Sequence, residues 1–207
     1  NVQSLTSTIE NSVTVTAAAD EFDAKTVNGA GQLTLTGTGT GGTDLSNISA
    51  DILDITGANL SAGVTFASTI SSGDEIKATA AQVTGKTIAG AGVLTISGTA
   101  SDTNFSALTA AVVDVTAATL NGTSNVGSAI AEGDEFRFTA AQVTGKTIGG
   151  AGTKTITKLN ADLDADLSNI SSGTITAAFE DDGTFTGDLG SATVTVTDSK
   201  TMTAGYS

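Results

Sequence analysis

Thr79-Ala80-Ala81-Gln82-Val83-Thr84-Gly85-Lys86-Thr87-Ile88-Ala89-Gly90-Ala91-Gly92 returns as Thr139 to Gly152 with one change, Gly149 for Ala89. The step is 60 residues. It also relates Asp74-Glu75 to Asp134-Glu135, Lys86 to Lys146, and Asp54 to Asp114. Thr56, Thr116 and Thr176 form a further series at that step. A fixed period of this length marks a stacked or tandem architecture, in which each unit buries its apolar face against its neighbours. The first unit reads as starting at Asp20-Glu21-Phe22. It reaches Lys25 after 5 residues, where Asp74 to Lys86 takes 12, so about seven residues are expected to be missing from it.

Each unit contains three extended segments. The first is Glu75-Ile76-Lys77-Ala78-Thr79, repeated as Glu135-Phe136-Arg137-Phe138-Thr139. The second is Leu33-Thr34-Leu35-Thr36, Leu94-Thr95-Ile96-Ser97 and Lys154-Thr155-Ile156-Thr157. The third is Leu53-Asp54-Ile55-Thr56, Val113-Asp114-Val115-Thr116 and Thr174-Ile175-Thr176. All alternate apolar with polar residues and are rich in β-branched side chains, which predicts short half-buried strands. Gly29-Ala30-Gly31, Gly90-Ala91-Gly92 and Gly150-Ala151-Gly152 punctuate them.

Ile76 to Leu94 is 18 residues and Leu94 to Val113 is 19, close to one coil of a β-solenoid. The expected fold is therefore all-β, a solenoid with coils of about 20 residues and three coils per repeat. The alternative is a row of small β-sandwiches, but each needs roughly 80 to 100 residues and usually a buried aromatic. The pattern Leu45-x-x-Ile48-x-Ala50-x-x-Leu53-Asp54-Ile55-Thr56 resembles the spacing of a leucine-rich repeat, without the Asn that follows the strand there. Helix is expected only in short pieces, near Thr79–Val83 and Ser106–Ala111.

Composition narrows the chemistry. The 207 residues include no Cys, His, Trp or Pro, so thiolate catalysis, imidazole bases and most zinc sites are absent. Ser is abundant, yet no Ser-His triad is available. No enzymatic activity is expected. With 22 acidic against 8 basic residues the net charge is −14, which argues against nucleic acid as a partner. No run approaches the roughly 18 apolar residues of a membrane-spanning helix. Residue 1 is Asn and no signal peptide is visible, so a processed chain or a fragment is expected. Aromatics are only 4%, and a slim solenoid core suits such a composition better than a wide globular one.

Asp162-x-Asp164-x-Asp166 is the best metal candidate, because alternate carboxylates in a loop can converge on Ca2+. Asp181 and Asp182, with Glu180 and Asp188, form a second acidic group around Gly183 and Gly187. Asp20-Glu21, Asp74-Glu75 and Asp134-Glu135 recur at coil entry and read as turn residues. Lys25, Lys86 and Lys146 occupy equivalent places and read as surface partners of carboxylates. Thr34, Thr36, Thr95, Thr155 and Thr157 are candidates for one outward Thr face, the device of some ice-binding solenoids.

The Gly/Thr/Ala/Ser-rich, acidic, Cys-free repeats, carried by Thr79–Gly92 and Thr139–Gly152, resemble those of bacterial surface-layer proteins and very large secreted adhesins. That resemblance implies export to the cell exterior or cell surface, self-association and Ca2+ dependence. It makes a self-assembling layer or filament protein the leading expectation. An adhesin or fibre module that binds a glycan, a cell surface or ice is the alternative. The expected organisation is an N-terminal strand or cap at 1–19, repeats over 20–190 (units 20–73, 74–133 and 134–190), and a C-terminal strand or cap at 191–207. Val13-Thr14-Val15-Thr16 and Thr193-Val194-Thr195-Val196-Thr197 are the terminal strands, read either as caps or as edges that pair with another subunit.

Overall fold

A computed structural model describes residues 6–61, 63–121, 124–125 and 130–205. The chain winds into a parallel β-solenoid of about 10 turns with coils of about 20 residues. One sheet runs the length of the stack. Its rungs are β1 (Thr14–Ala18), β2 (Thr26–Gly39), β3 (Ile48–Leu60), β4 (Glu75–Thr79), β5 (Ile88–Ser101), β6 (Leu108–Asn121), β7 (Glu135–Thr139), β8 (Thr153–Leu159), β9 (Ile175–Phe179) and β10 (Thr193–Val196). Each pairs in parallel with the next. β4, β5 and β6 make one 60-residue unit, so the three-strand reading of the repeat holds.

The alternation seen in sequence becomes two inward rows and an outward one. Val15, Leu33, Leu53, Ile76, Leu94, Val113, Phe136, Lys154 and Ile175 stand in register in the first inward row. Two places along, Leu35, Ile55, Ala78, Ile96, Val115, Phe138 and Ile156 are all fully buried. The core is thus a narrow column of aliphatic side chains with a few Phe. Phe136 and Phe138 stack with ring centroids 5.6 Å apart. Burying each large side chain stabilises by about 1.5–3 kcal/mol, and stacking neighbours supply what one coil cannot.

The repeated segment forms the corner after β4 and β7. Thr79 and Thr139 cap the short helices Ala80–Val83 (α1) and Ala140–Val143 (α2) through capping boxes with Gln82 and Gln142. The helix expected near Thr79–Val83 is therefore present. The one expected near Ser106–Ala111 is not, because Leu108–Ala111 belongs to β6, where Leu108 and Ala110 are buried rungs of the core.

The first unit is not shortened. β1 is a full rung, and the 3-10 helix Ala19–Phe22 takes the place of α1 after it. The following turn is the same in each unit: the Lys25, Lys86 and Lys146 amides donate to Phe22, Val83 and Val143 carbonyls at 3.0, 3.0 and 2.9 Å. Asp20-Glu21 therefore matches the corner helix and not Asp74-Glu75. The Lys200 amide makes the same bond to Thr197 at 3.1 Å, so Lys200-Thr201-Met202 repeats Lys25-Thr26-Val27 at the start of a fourth unit. The described parts of 1–19 and 191–207 are thus rungs of the same stack.

The third unit departs from the period. Thr176 pairs with Thr155 and stands in the row of Asp114, not that of Thr116. Ile156 to Leu167 spans 11 residues where Ile96 to Phe105 spans 9, and the surplus lies in the loop carrying Asp162 and Asp164.

Candidate functional site

The outward row reads Thr16, Thr34, Asp54, Lys77, Thr95, Asp114, Arg137, Thr155, Thr176 and Thr193. Thr residues occupy both ends of it, and charged side chains interrupt the middle, so it is not a uniform Thr face. The charges are arranged by sign. Lys77 lies 3.5 Å from Glu75 on its own rung and beside Asp54 on the previous one. Arg137 binds Glu135 through two bonds of 3.1 and 3.0 Å and stands beside Asp114. That bond to Arg137 holds Glu135 below the ordinary carboxylate range, helped by a bond from Thr155.

A groove of about 730 Å3 runs beside this row from the first rung to the seventh. Its walls carry Asn11, Thr14, Gln32, Asp51, Asp74, Glu75, Asp114 and Arg137, and its floor includes Gly31 and Gly92. Both glycines are required by close packing: a Cβ on Gly92 would lie 2.4 Å from Ile70 Cγ2, and one on Gly31 would lie 2.3 Å from Ile9 Cγ2. Burial pushes Asp74 above the ordinary carboxylate range, and the nearby Asp51 charge adds to this against an opposing bond from Ser71. The lining mixes these polar side chains with Val13, Ile52 and Val93 and has no aromatic platform, so it offers hydrogen bonds to an extended ligand.

The carboxylates expected to bind metal are divided among separate tasks. Asp166 and Asp188 face each other across adjacent coils as an isolated parallel bridge. Asp166 accepts from the Ser168 amide and hydroxyl at 3.0 and 2.6 Å, which holds it below the usual range. Asp188 accepts from the Gly190 amide at 2.8 Å. Asp182 accepts from the Thr201 amide at 2.8 Å and pairs with Lys200 at 3.4 Å, while Asp181 accepts from the Asp182 amide at 2.8 Å. Asp162 and Asp164 are exposed, with Leu163 half-buried between them. Asp164, Asp166 and Asp188 do line one open groove of about 720 Å3, which Asp162, Asp181 and Asp182 do not reach. Among the described residues, no three carboxylates converge as a set that could hold a metal ion. Glu180 ties coils, accepting from the Lys158 amide at 2.8 Å, as Asp23, outside the candidate set, does from the Asp44 amide at 2.9 Å.

The other surface feature is the pair of ends. Among the described residues, the outer edges of β1 and β10 have no strand partner. The exposed large hydrophobic residues sit there, Val13 beside β1 (43% exposed) and Val196 on β10 (38%). The alternating terminal segments pointed to these edges. Sequence reasoning did not find the axial groove, because its walls come from turns and rungs far apart in the chain.

No described helix is long and apolar enough to cross a membrane. No family model, curated protein or solved structure matches this chain.

Proposed function

We propose that this chain is a structural, extracellular or cell-surface protein that self-associates through its terminal rungs into a filament or layer, with Ca2+ as a candidate stabiliser at its acidic corners. The observation that carries this reading is that, among the described residues, the exposed large hydrophobics are Val13 beside the first rung and Val196 on the last. An unpaired strand edge is a template for another chain, and a heterologous contact that does not close propagates. Nothing in the composition offers a nucleophile–base pair of the ordinary kind, so the reading is structural and not catalytic. Electron microscopy and light scattering of the purified chain, with Ca2+ and with a chelator, test it. Elongated or sheet-like assemblies are expected, and monodisperse monomers in both conditions would overturn it.

The axial groove supports a second reading, a fibre or adhesin module that binds a glycan on a cell surface. Its length and its hydroxyl, amide and carboxylate lining suit an extended polyhydroxylated chain. Binding of a linear glycan by the isolated monomer, lost on Gln32→Ala with Asp51→Ala, separates it from the first.

A further inference from the structure

We infer that two copies of the 1–207 chain join head to tail, the edge of β10 that no described strand covers in one copy pairing in parallel with the uncovered edge of β1 in the next, with Thr193 opposite Thr16. This rests on the self-association reading and specifies its contact.

Polarity comes first. Every rung pair in the main sheet is parallel, so continuing the sheet across a boundary requires the last rung of one copy to meet the first rung of another. Both free faces are of kinds that the chain itself covers. The side of β1 that lies open is the side on which β4 receives β3 and β7 receives β6. The open side of β10 matches the side on which β1, β4 and β7 receive β2, β5 and β8, because β10 is followed by the same Lys-Thr turn.

Register follows from the rows. Thr193 ends the outward row that Thr16 begins. Placing them opposite each other sets Val194 over Ala17 and Ala192 over Val15. Large thus meets small in both inward rows, and all four side chains are half-buried in the single copy. Volume-matched contacts of this kind are what close-packed interiors require. The turns after the two rungs place Asp198 over Asp23. Like charges there oppose association, and salt screens them within a Debye length of about 8 Å at physiological strength. Assembly is therefore expected to rise with ionic strength.

The absence of cysteine makes the register directly testable. In the 1–207 chain, Thr16→Cys with Thr193→Cys places the two sulfurs about 43 Å apart within one copy, at roughly 4.8 Å per rung, but at bonding distance between copies. Mild oxidation is expected to give a ladder of covalent multimers, whereas each single variant stops at dimers. Val13→Asp with Val196→Asp is expected to lower assembly at least tenfold in light scattering with an unchanged unfolding transition. Assemblies that form without the ladder would overturn the register while leaving self-association intact. A strictly monomeric chain at all salt concentrations would overturn both.

Discussion

The Lys154 ammonium donates to the Ser172 carbonyl at 2.8 Å, from a row that holds leucine, as Leu33 and Leu94, in the other two units. It also reaches the carbonyls of Gly150, Gly152 and Ser171. In those units the ladder continues into this corner, with Gly29 opposite Ala50 and Gly90 opposite Ala110 just before a register shift, and both alanines are buried. In the third unit Ser172 and Gly173 are left-handed, at φ 63° and 64°, and the ladder skips from Ile148–Ile170 to Lys154–Ile175. The fully buried lysine supplies donors to carbonyls that lost their ladder amides. Lys154→Leu is expected to destabilise by about 2–4 kcal/mol, since it leaves the buried Gly152 carbonyl and its part-buried neighbours without their donor. Lys154→Leu with Ser172→Ala restores the residue types found at this corner in the other two units and is expected to recover part of that loss. A double-mutant cycle by urea unfolding reads the coupling.

Gln82 and Gln142 tie each corner helix to the coil before it. Gln142 Nε2 donates to the Val115 and Ala118 carbonyls at 2.7 and 2.6 Å, and its Oε1 accepts from the Thr139 amide at 2.7 Å. Gln82 makes the same three contacts with Ile55, Ala58 and Thr79. The carbonyls flank the register shift that interrupts the ladders of β3 and β6. Gln142→Ala is expected to cost about 2–3 kcal/mol, and Gln142→Glu a similar amount, because a carboxylate cannot donate to two carbonyls. Thermal unfolding of the two variants against Ala141→Ser, at an exposed place on the same helix, checks this.

The repeat was legible because each of its residues has a fixed task. Thr79 caps, Ala80 and Val83 are buried, Gln82 clamps, and Gly90 and Gly92 admit the preceding corner. Strand identity and coil length followed from the alternation in Leu94–Ser97 and its equivalents. The unit boundaries were harder to place, because Ala19-Asp20-Glu21-Phe22 forms a 3-10 corner without the capping box that marks α1 and α2. The acidic candidates have a second role that sequence does not separate from ligation: a carboxylate that closes an Asx-type turn, as Asp166 does, has the same sequence signature as a loop ligand. Lys154 did carry a signal, a charged residue at an inward place of an alternating strand. Its carbonyl partners, at 150–152 and 171–172, depend on backbone conformation that residue types alone do not declare.

Glycines divide sharply by what surrounds them. Gly90 has φ 115°, and a Cβ there would lie 2.2 Å from the Ile70 carbonyl oxygen. Gly73 also has positive φ, 92°, but faces open space. Gly90→Ala is therefore expected to cost more than about 3 kcal/mol, combining backbone strain with a clash against main chain that cannot move aside. Gly73→Ala carries only the conformational term, about 1 kcal/mol. The ratio of the two losses in denaturant unfolding tests whether the Ile70 corner is as close as the packing requires.

Acid is expected to loosen the corners before the core. Asp44 is held below the ordinary carboxylate range first by the Ser46 hydroxyl and amide and then by the Thr65 hydroxyl of the next coil, and Asp166 is held there by Ser168. Glu135 is lowered by Arg137. A carboxylate whose folded pKa lies below its unfolded value contributes stability in full above the unfolded pKa, and loses it as pH falls through the folded one. Stability from these groups is thus present at neutral pH and declines below about pH 4. Asp74 acts in the opposite sense, since its raised pKa favours the protonated form in the fold. Its charged form therefore weighs against the fold at neutral pH, and that penalty disappears on acidification. Asp44→Asn and Asp166→Asn are expected to flatten the fall of melting temperature between pH 5 and pH 2. Asp74→Asn should raise the neutral-pH melting point and leave the acid end unchanged. Circular dichroism melts across that range distinguish the two behaviours. A parallel acid response in Asp74→Asn and Asp166→Asn would contradict the opposed environments of the two carboxylates.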